Sequence, residues 1–204
     1  MYFDVILADP PWGFNDKLTM KDGVLRSADS QYSTMPIQAI KALDVKSLAA
    51  PAGCVLALWV PGSMLQWGLD TMTAWGFKHK QTYVWVKTKK DALADVVAKG
   101  HMDECTVFGM GRLFRQSHEL ALIGTRGKPS KTLVNKSQRS VSFDQNMGHS
   151  VKPGKLQASL ELMFPGARRL EMFARRNRDR WLCVGNELTS GQDIADTIVD
   201  LQQL

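Results

Sequence analysis

Few cysteines and no long apolar run occur in this sequence, and both shortages narrow the classes of protein to consider. The 204 residues include three cysteines, Cys54, Cys105 and Cys183. Their number is odd and their spacing fits neither a disulfide framework nor a zinc site, so we expect reduced thiols and no metal. No apolar run is long enough to cross a bilayer, and the first residues lack the basic start of a secretory signal. We therefore expect a cytoplasmic protein that does not associate with membranes.

Acidic residues are absent from one stretch of the chain, although the net charge of the whole is only +6. Residues 126–139 contain five basic residues and no acid. A second stretch, residues 168–180, contains six arginines against two acids. Such an excess is compatible with binding a polyanion without requiring it, and a solvated surface is the alternative for each stretch.

The most informative segment is Asp9-Pro10-Pro11-Trp12, which follows the apolar run 3–8. Proline has a fixed φ and no backbone N–H, so a strand cannot continue through this segment. Ligands of open α/β sheets bind beyond the carboxyl ends of strands. We expect a carboxylate, a rigid turn with free carbonyls and an exposed indole there, a combination that suits an exocyclic amine of a purine or pyrimidine. A simple exit turn with Trp12 packed on the core is the alternative.

Apolar strands alternate with amphipathic helices along the whole chain. The pattern predicts an α/β protein with one domain, residues 1–204, and a doubly wound, mostly parallel sheet. The polar segments 13–33 and 126–149 are candidate substrate-binding loops, because long loops near a site often bind ligands. Strands are predicted at 2–8, 53–60, 81–87, 119–124, 170–174 and 180–185, helices at 36–48, 63–76, 91–99, 153–163 and 194–204, and no regular structure at 127–148.

Further short motifs follow the first one in a fixed order, and together they resemble a known family. With Asp9-Pro10-Pro11-Trp12, the chain resembles the MT-A70-like adenine-N6 methyltransferases, of the small bacterial and phage type, over about residues 3–187. The matching pieces are Tyr32-Ser33-Thr34-Met35, Leu58-Trp59-Val60, Trp75-Gly76-Phe77, Trp85-Val86-Lys87, Gly109-Met110-Gly111-Arg112, His118-Glu119, Arg126-Gly127-Lys128-Pro129, His149-Ser150-Val151-Lys152-Pro153, Leu170-Glu171-Met172-Phe173-Ala174-Arg175 and Gly185-Asn186-Glu187.

The resemblance implies a Rossmann-like S-adenosylmethionine methyltransferase fold with a permuted motif order, in which the catalytic turn precedes the cofactor strand. It implies methyl transfer to the exocyclic N6 of adenine in DNA, with the target base flipped out of the duplex. RNA as the substrate, a non-catalytic nucleic-acid-binding subunit and N4 methylation of cytosine are the alternatives. We expect a monomer or homodimer, or a complex with a partner subunit that supplies specificity, in the cytoplasm of the cell or of a phage's host.

The resemblance also implies roles for individual residues. Asp9, Pro10, Pro11 and Trp12 are the predicted catalytic residues: the Asp9 carboxylate and the Pro10 carbonyl accept the two hydrogens of the amine, Pro11 stiffens the turn and Trp12 stacks on the base. The predicted cofactor-binding residues are Asp9, Ser150, Lys152, Phe173, Arg175, Asn186 and Glu187. The predicted substrate-binding residues are Trp12, Tyr32, Lys128, Lys131, Lys136 and Arg139. No metal is expected.

Three of these assignments have structural alternatives. Lys152 is otherwise a surface lysine before a helix, Tyr32 an ordinary loop tyrosine, and Phe173 a core residue. The family position of Glu187 often holds glutamine, so its contact with the ribose or adenine of the cofactor is the weakest of the set.

Overall fold

A central sheet of seven strands organises the protein. The computed structural model describes residues 1–13, 34–109, 111, 113–148, 151–188, 191 and 193–204. The strands lie in the order β5-β3-β4-β2-β1-β6-β7. They are β1 Val5–Ala8, β2 Gly53–Val60, β3 Lys78–Thr88, β4 His118–Gly127, β5 Val141–Gln145, β6 Arg169–Met172 and β7 Leu182–Val184. The helices are α1 Ile37–Ala42, α2 Val45–Leu48, α3 Leu65–Ala74, α4 Ala92–Lys99, α5 Lys155–Met163 and α6 Ile194–Gln203.

The sheet is mostly parallel, and β4 is the strand that runs against its neighbours. β1 pairs in parallel with β2 and β6, β6 with β7, and β3 with β5, whereas β4 is antiparallel to both β2 and β3. The carboxyl ends of β1, β2, β3 and β6 therefore meet at one edge, together with the start of β4. We call this edge the carboxyl edge of the sheet.

Helices cover both faces of the sheet, which confirms the doubly wound architecture. On one face α1, α2, α3 and α6 bury apolar side chains in a shared core, and on the other α5 packs on the strands. All eight residues of β2 are buried. A strand covered on both faces reads as a continuous apolar run, which is why its bounds could be predicted from the sequence.

Two predicted elements differ from the structure. Residues 127–148 are not without regular structure, because β5 lies there. This edge strand buries Ser142 and exposes Val141 and Phe143, so its polarity is the reverse of the usual pattern. The helix expected over 36–48 is two helices, since Leu43 leaves the helical region with ψ 128°.

Two expectations from the sequence concern reduced cysteines and the lack of a membrane span. All three cysteines are free, and burial raises the pKa of Cys54 to about 12. Its thiol is therefore inert at neutral pH. Among the described residues, no helix combines the length and the apolar character that a membrane span requires.

Candidate active site

The turn at Asp9 lies at the carboxyl edge, as the sequence predicted, but its carbonyls already have partners. Pro10 O accepts the backbone N–H of Trp12 at 2.8 Å, and Pro11 O accepts that of Met35 at 2.8 Å. The expectation of free carbonyls is therefore wrong, because the turn closes on itself and on residue 35. Each carbonyl oxygen keeps a second lone pair, so Pro10 O can still accept one more hydrogen bond.

The Asp9 carboxylate is held by the ammonium group of Lys152. Lys152 Nζ donates to Asp9 Oδ1 at 3.0 Å and to Oδ2 at 2.8 Å. The two side chains are only 16% and 22% exposed, so the pair is shielded from water. Pro153 and the start of α5 fix the backbone after Lys152, 143 residues along the chain from Asp9. The contact orients the plane of the carboxylate.

Two further charges extend this pair into a chain of four, Lys87, Glu119, Lys152 and Asp9, which we call the charge cluster. Lys152 Nζ lies 3.3 Å from Glu119 Oε2, and Lys87 Nζ lies 2.5 Å from Glu119 Oε1. Two cations alternate with two anions, so the cluster is neutral. Lys152 therefore makes three contacts, two with Asp9 and one with Glu119. These match the three N–H groups of its ammonium.

The charges in the cluster shift the pKa values of Glu119 and Lys152. Burial alone would raise the pKa of Glu119, but Lys152 and Lys87 together outweigh it and the pKa is lowered. Burial alone would lower the pKa of Lys152, but Asp9 and Glu119 outweigh it and the pKa is raised. Both groups therefore stay charged at neutral pH.

The rings of Trp59 and Trp85 pack against the two lysines of the charge cluster. Lys152 Nζ is 5.7 Å from the centroid of the Trp59 ring, and Lys87 Nζ is 5.1 Å from that of Trp85. The Trp59 and Trp85 rings meet edge to face at 6.3 Å. Cations near indole faces gain electrostatic energy, and the rings exclude water from one side of the cluster.

Trp12 does not present a face at this edge. Its side chain is 4% exposed, and its Nε1 donates to Trp59 O at 2.9 Å. The indole packs in the core that also contains Ile40 and Met64. The exposed stacking surface expected from the sequence is therefore wrong for the described structure, which instead shows the packed alternative. The indole N–H satisfies the carbonyl at the end of β2 and so anchors the turn to that strand.

The loops after β6 and β7 form the other side of the edge. Phe173 has a φ of +61°, a left-handed conformation that is uncommon for a bulky residue and recurs at functional sites. Gly185 lies so close to this turn that a Cβ there would clash with the backbone of Phe173 and Ala174. Beyond them, Arg175 Nε lies 3.5 Å from Glu187 Oε1, and Asn186 is exposed.

The structure brings together six of the seven predicted cofactor-binding residues; the seventh, Ser150, lies outside the described residues, as does the predicted substrate-binding residue Tyr32. Asp9, Lys152 and Phe173 share the carboxyl edge with Arg175, Asn186 and Glu187.

The predicted phosphate-binding residues Lys128, Lys131, Lys136 and Arg139 do not all lie at the same edge of the sheet. We expected them beside the site because they follow a strand that borders it. That strand is β4, which is antiparallel and carries the chain about 30 Å from the carboxyl edge to the opposite one, where Gly127 pairs with Gly53. The expected position is therefore wrong for Lys128. Arg139 precedes Ser140, whose carbonyl accepts the N–H of Val84 in the carboxyl half of β3. The contact of the four residues with phosphates stays a prediction.

Sequence reasoning did not assign Glu119 and Lys87 to the site. Both occur in matched motifs, but neither was given a role. Each of them is a charged residue of an apolar strand at the carboxyl edge of the sheet. The two strands, β3 and β4, are neighbours in the sheet, and Trp85 of β3 pairs with Glu119 of β4. Recognising this arrangement requires the register of the two strands. Across the described residues, no group of histidine, cysteine or acidic side chains is arranged to hold a metal ion.

The doubly wound sheet, with an acid held at the carboxyl end of the inner strand β1, defines a Rossmann-like methyltransferase fold. The sequence model of the MT-A70 family matches residues 3–187, and the chain belongs to this family. The resemblance inferred from the motifs is thereby confirmed. S-adenosylmethionine is the methyl donor of the family's methyltransferases.

Individual relatives differ greatly from the chain in length. It is 31% identical over 91% of its length to an N(6)-adenosine-methyltransferase MT-A70-like protein of Arabidopsis thaliana, of which it covers 24%. It is 25% identical over 91% of its length to the human N(6)-adenosine-methyltransferase catalytic subunit METTL3, of which it covers 28%. It is 28% identical over 88% of its length to the type II methyltransferase M.MunI of a Mycoplasma species, of which it covers 75%. The chain thus spans about a quarter of the first two relatives.

Proposed function

We propose that the protein transfers a methyl group from S-adenosylmethionine to the exocyclic N6 of adenine in DNA. The observation that carries the proposal is the Asp9 carboxylate, bound through both oxygens by Lys152 at the carboxyl edge of a Rossmann-like sheet. Family membership supports the same reaction.

The residues at this edge fit the proposed cofactor. When bound, S-adenosylmethionine supplies an electrophilic methyl group on a positively charged sulfur. Asp9 offers a negative charge, and Gly185 lets the backbone of the loop after β7 pack directly against that of Phe173 and Ala174, which fixes the two loops beside each other. Arg175 and Glu187 offer a cation and an anion, and Asn186 both a donor and an acceptor, for its polar groups.

The chain's own contribution to the reaction is to prepare the amine. The N6 lone pair of adenine is delocalised into the ring, so the nitrogen must become more tetrahedral before it can attack. Asp9 accepts one amine hydrogen and the free lone pair of Pro10 O accepts the other. Because Lys152 and the closed turn fix both acceptors beforehand, no reorganisation is needed as charge develops on the nitrogen. Asp9 thus orients the amine, and the proton leaves after methyl transfer.

DNA is proposed ahead of RNA because the chain spans most of a type II methyltransferase but only about a quarter of the N(6)-adenosine-methyltransferases. RNA is the second candidate. The complete charge cluster argues against a non-catalytic subunit, since a binding subunit has no use for a shielded, lysine-held carboxylate. In a duplex the target adenine must be flipped out of the stack to reach Asp9.

Methyl transfer can be tested directly with isotope-labelled cofactor. Duplex DNA, single-stranded DNA and RNA of matched sequence are incubated with the protein, digested and analysed by nucleoside mass spectrometry. We expect labelled N6-methyladenine, with more in DNA than in RNA. Label in N4-methylcytosine, or only in RNA, would contradict the proposed substrate. No label in any polymer, together with no binding of the cofactor, would contradict the proposed reaction.

We expect Arg175→Ala and Asn186→Ala to weaken the binding of S-adenosylmethionine about 10-fold or more, measured by calorimetry. Each removes a polar group at the loops after β6 and β7, and a hydrogen bond to a charged partner contributes about 1.5–3 kcal/mol. Arg176→Ala is the matched control, because Arg176 is an exposed neighbour outside the predicted set. Unchanged affinity in both variants would place the cofactor elsewhere.

Alanine at Lys128, Lys131, Lys136 and Arg139 together should weaken nucleic-acid binding only when the substrate is long. Because Lys128 lies about 30 Å from the carboxyl edge, we expect the segment to contact phosphates away from the target base. We expect a roughly 20-bp duplex to bind more weakly and with a flatter salt dependence, by about 0.9 in log–log slope per lost contact. A hexanucleotide should bind as before. An unchanged slope with the long duplex would show that the segment contacts no phosphate.

A further inference from the structure

A cavity of about 470 Å³ lies on the face of the sheet covered by α5. It is bounded by β2, β3 and β4, by the inward side of α5 and by residues 127–140. Its lining extends from Val55, near the first residue of β2, to Tyr83, whose ring meets that of Trp59 edge to face. Asp9 and the other members of the charge cluster do not line it, so the cavity is separate from the candidate active site, and a volume of this size is typical of small-molecule sites.

The inner wall of the cavity is apolar and partly aromatic. Ile123 from β4, Leu156 and Leu160 from α5, and the rings of Tyr83 and Phe164 contribute to it. Tyr83 is 4% exposed, and its hydroxyl lies beside that of Ser142. A phenolic hydroxyl both donates and accepts, so it can also form a hydrogen bond with a polar ligand atom.

The rim of the cavity is positively charged. Lys80, Lys128 and Arg139 line it, all three are exposed, and no acidic residue is among the lining residues. Within the described part of the chain, none of the three forms an ion pair, whereas Lys87, Lys152 and Arg178 elsewhere all do. Three unpaired cations at the opening of an apolar cavity favour an anionic ligand with an apolar body.

The side walls carry groups that can bind the polar edge of such a body. Gln81 offers an amide, and Thr125, Ser130 and Ser140 offer hydroxyls. An acyl chain has no use for these groups. A nucleobase needs both features, since its faces stack on apolar and aromatic side chains and its edges form hydrogen bonds.

We infer that this cavity binds a nucleoside monophosphate unit, with the phosphate at Lys128 and Arg139 and the base against the wall of β3, β4 and α5. The nucleotide can come from two sources, a free mononucleotide or the terminal nucleotide of a bound strand. The inference is independent of methyl transfer, since a protein that fails to methylate can still bind a nucleotide here.

Binding of adenosine monophosphate, measured by calorimetry with S-adenosylhomocysteine held saturating, tests the site. The second ligand occupies the cofactor part of the candidate active site, and the variants below separate binding in the cavity from binding at the target-base part. We expect saturable binding that the double variant Lys128→Ala, Arg139→Ala weakens at least 10-fold. Lys46→Ala, Lys90→Ala is the matched control, because both residues are exposed and neither lines the cavity. Equal affinity in both double variants would overturn the inference.

Further ligands separate the parts of the proposal. Adenosine and inorganic phosphate should each bind at least 10-fold more weakly than the monophosphate, and Tyr83→Phe should weaken the nucleotide without affecting phosphate. Tighter binding of palmitate than of the nucleotide would overturn the inference in favour of an acyl site. Competition by an oligonucleotide with a 5′-phosphate, but not by one without it, would identify a strand terminus as the source; competition by neither would identify the free nucleotide.

Discussion

We expect Asp9→Ala to abolish methyl transfer while the protein keeps its fold. We expect a loss of at least 10²–10³-fold in kcat, the scale found when a preorganised hydrogen-bonding group is removed from a reacting centre. Asp9→Asn should be nearly as inactive, because an amide keeps the size of the side chain but offers one acceptor oxygen instead of a charged pair. The measurement is single-turnover methylation of an adenine-containing duplex at saturating cofactor.

The fold should tolerate both Asp9 variants because the partner of Asp9 is not left alone. Lys152 keeps its contact with Glu119 when the Asp9 carboxylate is removed. Asp70→Ala is the matched control, since Asp70 lies on α3 and its carboxylate contacts only Gln66 among the described residues. Near-normal turnover of Asp9→Ala would remove Asp9 from the reaction, and a collapse in melting temperature would make its role structural.

The strands and the position of the turn could be predicted because they depend on local sequence. Gly53 and Pro61 bound the eight apolar residues of β2, and two prolines stop the chain after β1. Each signal lies within a few residues of the element that it defines. Two predictions were wrong because the local signal is misleading there. In β5 the buried residue is the polar Ser142, and at Leu43 the chain changes direction within an apolar stripe that predicts one continuous helix.

The contacts of the site could not be predicted because they depend on the order and direction of the strands. The sequence identified Lys152 as a cation for the cofactor carboxylate, which stays a prediction, but it did not reveal that the ammonium group contacts Asp9 and Glu119. The basic segment was placed beside the site because nothing in its sequence reveals that β4 is antiparallel. Only the paired strands show which charges share an edge and which lie about 30 Å apart.

Lys152→Met should reduce methyl transfer at least 10²-fold, mainly in kcat, because the loss of the cation frees the carboxylate that it orients. Three shielded charges would remain, two of them negative, and breaking a buried pair in this way costs about 3–5 kcal/mol of unfolding free energy. Lys155→Met is the matched control, since Lys155 is exposed at the first residue of α5. If Lys152→Met lowered only the affinity for the cofactor, the result would support the sequence prediction that Lys152 binds the cofactor carboxylate.

The pH dependence of the free energy of unfolding distinguishes the charge cluster from an ordinary ion pair on the surface. The pKa of Lys152 is raised in the folded protein, so its contribution is complete below the unfolded value, near 10.4, and is lost as pH rises through the folded value. The pKa of Glu119 is lowered, so its contribution is complete above about 4.3 and is lost as pH falls through the folded value. We expect Lys152→Met to remove most of the alkaline loss, and Glu119→Gln the acid loss, in urea unfolding measured from pH 3 to 11. Wild-type and variant curves that stay parallel over both ranges would show that the four charges contribute nothing as a cluster.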